Sequence, residues 1–209
     1  MQIHTDKRQQ RGYLRRQRQQ LKDDIRQHAT TRINRLLYPL IRRDKRIAVY
    51  WAVGSELSLW SFIITAQKRG ATVYLPYIAA RQRQLWFTPC PILSRKQATS
   101  RFMAQYGLKQ KRGLIPQFHG QRIRARYLHT LIVPLLGIDQ KGNRLGQGGG
   151  YYDATLSALQ FWQPKLIGAG FACQRLQEIQ TEKHDIKIPY FVCEQGIVHF
   201  KLGINKLSA

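Results

Sequence analysis

Residues 47–76 have the sequence IAVYWAVGSELSLWSFIITAQKRGATVYLP, in which two apolar runs flank a longer amphipathic segment. Residues 47–53 are apolar throughout and partly β-branched, which is typical of a buried strand. Residues 71–76 repeat that pattern and end in a proline. Between the two runs, Ser55 could cap a helix that ends at Gly70. This order predicts two parallel strands joined by a crossover helix.

The rest of the chain continues to alternate between strands and helices, without internal repeats or low-complexity linkers. We therefore predict one α/β domain over residues 1–209, a three-layer Rossmann-like fold with a mainly parallel sheet and helices on both faces. The further predicted elements are strands at 85–89, 128–136, 165–172 and 190–194, helices at 100–107 and in the second half of 139–162, and a basic, turn-rich segment at 108–126.

The N-terminal segment, about residues 8–43, is predicted to be a basic helix that precedes an α/β core at about residues 47–198. The first 46 residues hold 14 of the 35 lysines and arginines. Leu14, Ile25 and Leu37 are among the apolar residues that fall near one stripe at helical spacing. An amphipathic helix with a solvated basic face would explain these features without a binding role.

The composition excludes several classes of protein. No apolar run approaches the ~18–20 residues that a membrane-spanning helix needs, and the first residues lack the apolar region of a secretory signal. Neither the three cysteines nor the histidines have the spacing of a zinc site or a disulfide framework, so we expect a cytoplasmic protein. The net charge of +24 predicts attraction to anions: nucleic acid, an anionic membrane, or phosphorylated and carboxylated small molecules.

A glycine-rich loop lies between the strand at 128–136 and the helix that follows it. Gly146, Gly148, Gly149 and Gly150 stand close together, and glycines let backbone N–H groups approach a phosphate. The string is neither GxGxxG nor a Walker GK[ST] loop, and its glycines do not directly follow a predicted strand. A flexible surface loop is therefore the alternative interpretation.

Asp153 follows this loop and is one of only 11 acidic residues in the chain. Mg²⁺ bound to nucleotide phosphates needs one or two carboxylates nearby, which makes Asp153 a candidate ligand. The same carboxylate could instead complement the dipole at the start of a helix, and the two roles are compatible.

Residues 144–153, RLGQGGGYYD, resemble the signature of the 5-formyltetrahydrofolate cyclo-ligase family. The resemblance extends over about residues 11–198, because other motifs occur in the family's order. These are residues 11–15 of the first helix, the turn at 54–59, LIVP with Gly137, Asp139 and Gly142 after it, and the pair His184 and Asp185.

The resemblance implies an enzyme that converts 5-formyltetrahydrofolate to 5,10-methenyltetrahydrofolate with ATP and Mg²⁺, releasing ADP and phosphate. The formyl oxygen attacks the γ-phosphate, N10 closes the ring, and phosphate leaves. Such phosphoryl transfer depends on positioning and charge neutralisation, which backbone amides, arginines and a metal-binding carboxylate supply. The implied partners are the reduced folate and ATP, with nucleic acid bound at most non-specifically, no membrane association and a monomeric state.

The resemblance also implies roles for individual residues. Catalysis would fall to Arg144 and Tyr152, and Mg²⁺ to Asp153 and Asp185. The residues implied to contact folate are Val53, Ser58, Gln147, Gly148, Gly149, Gly150 and Tyr151. The residues implied to contact ATP are Arg11, Leu14, Arg15, Arg144, Leu145, Gly146, Gln147, Gly148, Gly149, Gly150, Tyr151 and Tyr152.

Two positions depart from the family's usual residues. Gln147 stands where arginine is common, and Ser58 stands where aspartate or glutamate is common. A carboxylate at position 58 would suit the donor edge of a pterin, because it accepts two hydrogen bonds. We expect Glu56 to replace it only through a shift in register, so the serine predicts weaker folate binding.

Two alternative functions are compatible with the sequence. The charge of +24 and the basic first helix would suit a nucleic-acid-binding protein, although this leaves the glycine loop and Asp153 unexplained. The other alternative is a nucleotide-binding member of the same family that has reduced folate turnover because of Ser58.

Overall fold

The structure is a computed structural model. It describes residues 6–91, 107–110, 113–116, 118, 120–159, 164–182 and 185–201. Over these ranges, no helix combines the length and the apolar character that crossing a membrane requires.

The described part of the chain contains four helices and eleven strands. The helices are α1 Lys7–Gln19, α2 Asp23–Leu37, α3 Trp60–Lys68 and α4 Tyr151–Ser157, with 3-10 turns at Tyr38–Leu40, Ala125–Tyr127 and Ala172–Gln174. The strands are β1 Arg46–Ala48, β2 Thr72–Tyr77, β3 Trp86–Pro89, β4 Gly107–Gln110, β5 Gly113–Pro116, β6 Thr130–Pro134, β7 Gly137–Ile138, β8 Arg144–Leu145, β9 Lys165–Ala169, β10 Tyr190–Cys193 and β11 Gly196–His199.

Seven of these strands form one sheet in the order β11-β10-β9-β6-β1-β2-β3. The five inner strands are parallel, and the edge strands β3 and β11 run antiparallel to their neighbours. α3 connects the parallel strands β1 and β2, so the crossover unit and the mainly parallel sheet are confirmed. β11 was not predicted, because its residues alternate between half-buried and exposed and form no apolar run.

Apolar side chains cover both faces of the sheet, because successive residues of a strand point to opposite sides. In β6, Ile132 packs in the cluster that includes α2 and α3, whereas Leu131 and Val133 pack on the other side with Leu156 of α4. All three β6 side chains are fully buried. Burial on two faces explains the continuous apolar run of this strand and confirms the three-layer arrangement.

The N-terminal segment forms two helices, so the single helix predicted for residues 8–43 is wrong. α1 ends before a short break, and α2 begins with Asp23 and Asp24, whose charges complement the start of a helix. Arg26 holds the corner, since its Nη2 donates to the carbonyl oxygens of Arg18 and Leu21 at 2.6 and 3.3 Å. The corner lets α2 pack on the sheet while α1 lies beside the glycine loop.

The predicted strand at residues 47–53 is wrong beyond Ala48, where β1 ends. The predicted cap at Ser55 is wrong as well, because α3 begins only at Trp60. Residues 49–59 are therefore irregular, and they are available to line a cavity above the end of β1.

Asn34 of α2 takes over the capping of α3. Its Oδ1 accepts a hydrogen bond from the Phe62 backbone N–H at 2.8 Å, and its Nδ2 donates to the Ser58 carbonyl oxygen at 2.9 Å. Its side chain is almost fully buried between the two helices. A cap from a distant helix leaves no local motif, so the sequence could not reveal it.

Other helix and strand boundaries in the structure also differ from the predicted ones. The segment expected to be turn-rich contains the antiparallel hairpin β4–β5, in which Gly107 starts a strand instead of ending a helix. Residues 100–106 lie outside the described residues. The strand predicted at 165–172 ends at Ala169, and a 3-10 turn follows. β7 and β8 form a second small hairpin, so the glycine loop does directly follow a strand.

Candidate active site

A cavity of about 750 Å³ opens at the carboxyl ends of β1, β2 and β6. Ligands bind at this end of open α/β sheets because the loops after the strands converge there. Residues 53–56 after β1 form one wall, and the glycine loop at residues 146–150 forms the opposite wall. Arg15 and Arg18 of α1 also line the cavity, together with apolar residues such as Trp51 and Leu85.

The glycine loop is held in a conformation that requires glycine. Gly148 and Gly150 have φ angles of 98° and 69°, which side-chain-bearing residues rarely adopt. Arg11 supports the loop from α1, because its Nε donates to the Gly146 carbonyl oxygen at 3.1 Å. This contact ties the loop to α1, and the loop forms one wall of the cavity.

Arg144 and Asp153 form an ion pair at the base of this wall, between Nη2 and Oδ1. The Arg144 side chain is only 4% exposed, and its Nη1 also donates to the Pro134 carbonyl oxygen at 3.1 Å. A Cβ on Gly146 would lie 2.9 Å from the Arg144 guanidinium, so this position has no room for a larger residue. The Arg144 Nε is buried without a hydrogen-bond partner in the described part of the chain.

Tyr152 places a neutral hydroxyl group in the same wall. This hydroxyl is buried and has no hydrogen-bond partner within the described residues. Burial, and then the negative charge of Glu56, raise the pKa of Tyr152 well above the usual tyrosine value. The phenol therefore keeps its proton and can donate a hydrogen bond to a bound oxygen.

A polar bridge made of Arg15, Gln147 and Glu56 joins the two walls of the cavity. Arg15 Nη2 donates to Gln147 Oε1 at 3.0 Å, and Gln147 Nε2 donates to Glu56 Oε1 at 3.0 Å. The other oxygen of Glu56 accepts from the Val53 backbone N–H at 3.0 Å. An arginine at position 147 could not accept the bond from Arg15, so the amide suits both neighbours.

Glu56 lines the cavity together with Val53, Gly54 and Ser55, whereas Ser58 does not. Ser58 is exposed, and its hydroxyl accepts a 3.4 Å contact from the Trp60 backbone N–H. No shift in register is needed to bring Glu56 to the cavity, because the turn is irregular and does not alternate like a strand. Val53, which the resemblance implied to contact folate, also lies in the cavity wall.

In α1, the structure differs from the prediction at two residues. Leu14, implied to contact ATP, is fully buried in a small apolar cluster with Leu136 and Leu145. Arg18 was not predicted as a site residue. It lines the cavity, and its Nε donates to Ser55 Oγ at 3.0 Å. Burial lowers the pKa of Arg18. The sequence signal for this position was its spacing: Arg11, Arg15 and Arg18 lie four and three residues apart, which places them on one face of a helix.

The two residues implied to bind Mg²⁺ differ in position. Asp153 lines the cavity, and no described group donates to its second oxygen, Oδ2. Asp185 lies outside the lining, where it accepts hydrogen bonds from Lys7 Nζ at 2.9 Å and from the Glu182 backbone N–H at 2.8 Å. His184 lies outside the described residues. Among the described side chains, no group of three or more His, Cys, Asp or Glu could hold a metal ion.

Comparison with protein families identifies the chain. The model of the 5-formyltetrahydrofolate cyclo-ligase family matches residues 3–194. The chain belongs to this cyclo-ligase family.

Curated relatives of the cyclo-ligase family support the same assignment. The 5-formyltetrahydrofolate cyclo-ligase of Haemophilus influenzae is 30% identical over 178 residues, which cover 82% of this chain and 84% of that protein. The enzyme of the same name from Escherichia coli is 29% identical over 170 residues, with 79% and 86% covered.

Two solved structures share the fold of this cyclo-ligase family member. The 5,10-methenyltetrahydrofolate synthetase of Aquifex aeolicus has a TM-score of 0.73 at 19% identity and covers 97% of this chain and 96% of that chain. The synthetase of Mycoplasma pneumoniae has a TM-score of 0.67 at 20% identity, with 90% and 99% covered.

Proposed function

We propose that this protein catalyses the ATP-dependent conversion of 5-formyltetrahydrofolate to 5,10-methenyltetrahydrofolate. One observation carries the proposal: a single cavity brings the anchored glycine loop and the Arg144–Asp153 pair opposite the carboxylate of Glu56. The wall with the glycine loop suits a nucleoside triphosphate, and the wall with Glu56 suits the donor edge of a pterin. A cytoplasmic location and a monomeric state stay predictions from the sequence.

The proposed reaction has two balanced steps. The formyl oxygen attacks the γ-phosphorus of ATP, and the bond to the β-phosphate oxygen breaks to give ADP. N10 then attacks the activated formyl carbon and loses its proton, which the departing phosphate takes up as the C–O bond breaks and the ring closes. The enzyme's task is to hold the formyl oxygen in line with the γ-phosphate and to balance the negative charge.

The phosphates of ATP would lie against the glycine loop. Arg15 contacts this loop through Gln147, and the buried guanidinium of Arg144 adds a second positive charge. Arg18 lines the same cavity beside Ser55. The Tyr152 hydroxyl would donate a hydrogen bond to an oxygen of the transferring group, because it keeps its proton. Fixed donors of this kind stabilise charge that develops in the transition state.

Asp153 is the residue that fits a magnesium ion. Asp153 lines the cavity and uses Oδ1 for Arg144, and Mg²⁺ in nucleotide sites takes one or two carboxylates in addition to phosphate oxygens. When bound, the ion would neutralise phosphate charge. Asp185 would have to exchange its contact with Lys7 for the ion, so we assign the main role to Asp153.

The pterin ring of the folate would lie against residues 53–56. The Glu56 carboxylate is oriented by the Val53 backbone N–H and by Gln147, and each of its oxygens keeps capacity to accept a further bond. It can therefore receive the amino and ring N–H groups of a pterin. This assigns to Glu56 the role that the family resemblance gave to position 58.

The test is direct: purified protein is mixed with 5-formyltetrahydrofolate, ATP and Mg²⁺, and the absorbance of the methenyl product is followed. We expect product only when ATP and Mg²⁺ are both present, with one ADP formed per product. Turnover without ATP, or none with ample substrate, would contradict the proposal.

The variant Asp153→Asn tests the metal assignment in the same assay. It removes one charge at nearly constant shape, and we expect turnover to fall about tenfold or more. The matched control is Glu178→Gln, which makes the same change at an exposed site that pairs with Lys141. Equal rates for both variants would remove Asp153 from the mechanism.

A further inference from the structure

A second concave surface lies at the β3 edge of the sheet, outside the cavity described above. It has a volume of about 500 Å³, and we name it the arginine groove. Its lining shares no residue with the lining of the cavity. The side chains that define it are Arg46, Arg122, Arg124, Arg126, Trp86 and Tyr127.

The backbone beside β3 places two of these arginines on the outside. Phe87 and Ile123 exchange both backbone hydrogen bonds at 2.9 Å, so this segment lies against β3 like a further short strand. Because side chains alternate along an extended segment, Ile123 points inward and Arg122 and Arg124 point outward, about 6.6 Å apart along the chain. Arg126 follows in a 3-10 turn.

Three of the arginines lie over aromatic rings. The guanidinium carbons of Arg122, Arg124 and Arg126 are 4.0, 3.5 and 5.0 Å from the ring centroids of Tyr77, Trp86 and Tyr127. Arg122 Nη2 and Arg126 Nη2 also donate to the hydroxyl oxygens of Tyr77 and Tyr127 at 3.0 and 3.2 Å. These contacts hold each guanidinium group in place and leave its remaining N–H donors to an anion. The groove therefore holds oriented donors before any ligand arrives.

Among the described residues, none of the groove's four arginines forms an ion pair with an aspartate or glutamate. The sequence that supplies three of them has no acidic residue between Glu56 and Asp139. Arg124 Nη1 is buried and has no hydrogen-bond partner among the residues that the structure describes. A charged donor left without a partner costs free energy, and an anionic ligand would supply the missing acceptor.

We propose that the arginine groove binds the phosphate backbone of a single-stranded nucleic acid, independently of the cavity. Arginine pairs with phosphate through two parallel N–H···O bonds, and a chain of phosphates matches a row of arginines. Basic grooves with aromatic side chains are how proteins hold single strands without reading their sequence. The net charge of +24 would attract such a strand from a distance.

The geometry favours this ligand over an acidic extension of a molecule bound in the cavity. Pro76 of β2 lines the cavity, whereas the next residue, Tyr77, pairs with Trp86 of β3, and the rings of these two residues contact arginines of the groove region. Neighbouring residues on strands point to opposite faces, so an extension would have to pass around the β2–β3 pair. The concave shape also fits a strand better than a flat membrane surface.

The experiment measures binding of a labelled single-stranded RNA of about 20 nucleotides to the full chain at several salt concentrations. With four arginines on phosphates, we expect log Kd to depend on log salt with a slope of about 3. The double variant Arg124→Gln/Arg126→Gln should raise Kd about tenfold or more and lower the slope by about 1.4.

The matched control is Arg32→Gln/Arg35→Gln, which removes the same charge from the exposed face of α2. We expect its Kd to stay within about twofold of the parent value, and methenyl formation to be unchanged in both double variants. Absence of RNA binding, or an equal loss of binding in the control, would overturn the proposal.

Two further measurements distinguish other ligands. If the groove variant raises KM for a folate with several glutamate residues but not for the monoglutamate, the groove serves the substrate and the proposal fails. If it abolishes sedimentation with phosphatidylserine vesicles while RNA binding is unaffected, the groove is a membrane site and the proposal also fails. If the parent protein shows no cyclo-ligase activity, the RNA-binding measurement still tests the groove, because the groove and the cavity share no lining residue.

Discussion

At the scale of single residues, Glu56 carries the recognition of folate that we propose. A hydrogen bond to a charged group contributes ~1.5–3 kcal/mol, against ~0.5–1.5 kcal/mol for a neutral one. Replacing the carboxylate with an amide in Glu56→Gln should therefore raise KM for 5-formyltetrahydrofolate about 5- to 30-fold and change KM for ATP much less. Steady-state kinetics with each substrate varied in turn would measure both constants.

Ser58→Ala is the control for this change, because the Ser58 side chain is exposed and does not line the cavity. We expect its KM for folate to stay within about twofold of the parent value. If Ser58→Ala raises that constant and Glu56→Gln does not, the pterin contacts position 58 and our assignment is wrong.

At the scale of elements, the start of α3 depends on a side chain from α2. Asn34→Ala would leave the Phe62 N–H and the Ser58 carbonyl without their buried partner. The loss of a cap and of a buried bond should cost about 2 kcal/mol, which lowers Tm by roughly 4–8 °C in a chain of this size.

Thermal unfolding of Asn34→Ala beside Thr31→Ala would check this prediction. Thr31 lies on the exposed face of the same helix, and alanine is a better helix former, so Tm of the control should not fall. Since residues 49–59 lie between β1 and α3, Asn34→Ala should also raise KM for folate. Equal Tm values for the two variants would show that Asn34 does not secure α3.

At the scale of the whole molecule, the buried tyrosines predict how stability depends on alkaline pH. Burial raises the pKa of Tyr152, and of Tyr50, above the unfolded value of about 10. The folded state therefore favours the protonated phenol, and this stabilisation is complete below pH ~10 and is lost as the pH rises further. Tm should fall across this range.

Tyr152→Phe removes one of these groups, so its Tm should fall less steeply than that of the parent between about pH 9.5 and 11.5. Tyr127→Phe removes an exposed tyrosine and should keep the parent slope. The measurement is Tm by circular dichroism over this pH range. Parallel curves for the parent and Tyr152→Phe would indicate that Tyr152 ionises as readily in the folded state as in the unfolded one.

Much of the fold could be predicted because its signals are local. The apolar runs that became β2, β6 and β10 are buried on two faces, and such strands have few polar positions. The strand ends were less predictable, because the apolar run continues past β1 into Tyr50, Trp51 and Val53, which line the cavity and lie outside the strand. Apolar composition indicates burial and does not distinguish a strand from a cavity wall.

The glycine loop and the position of Asp153 could likewise be predicted, because their residues are close together in the sequence. Glu56 facing the cavity, Arg18 lining it and Asn34 capping α3 depend instead on contacts between segments that are distant along the chain. The corner between α1 and α2 sets the direction of Arg18, and the irregular turn after β1 sets the direction of Glu56. Local patterns constrain backbone conformation, whereas the direction of a polar side chain in a loop depends on its tertiary partners.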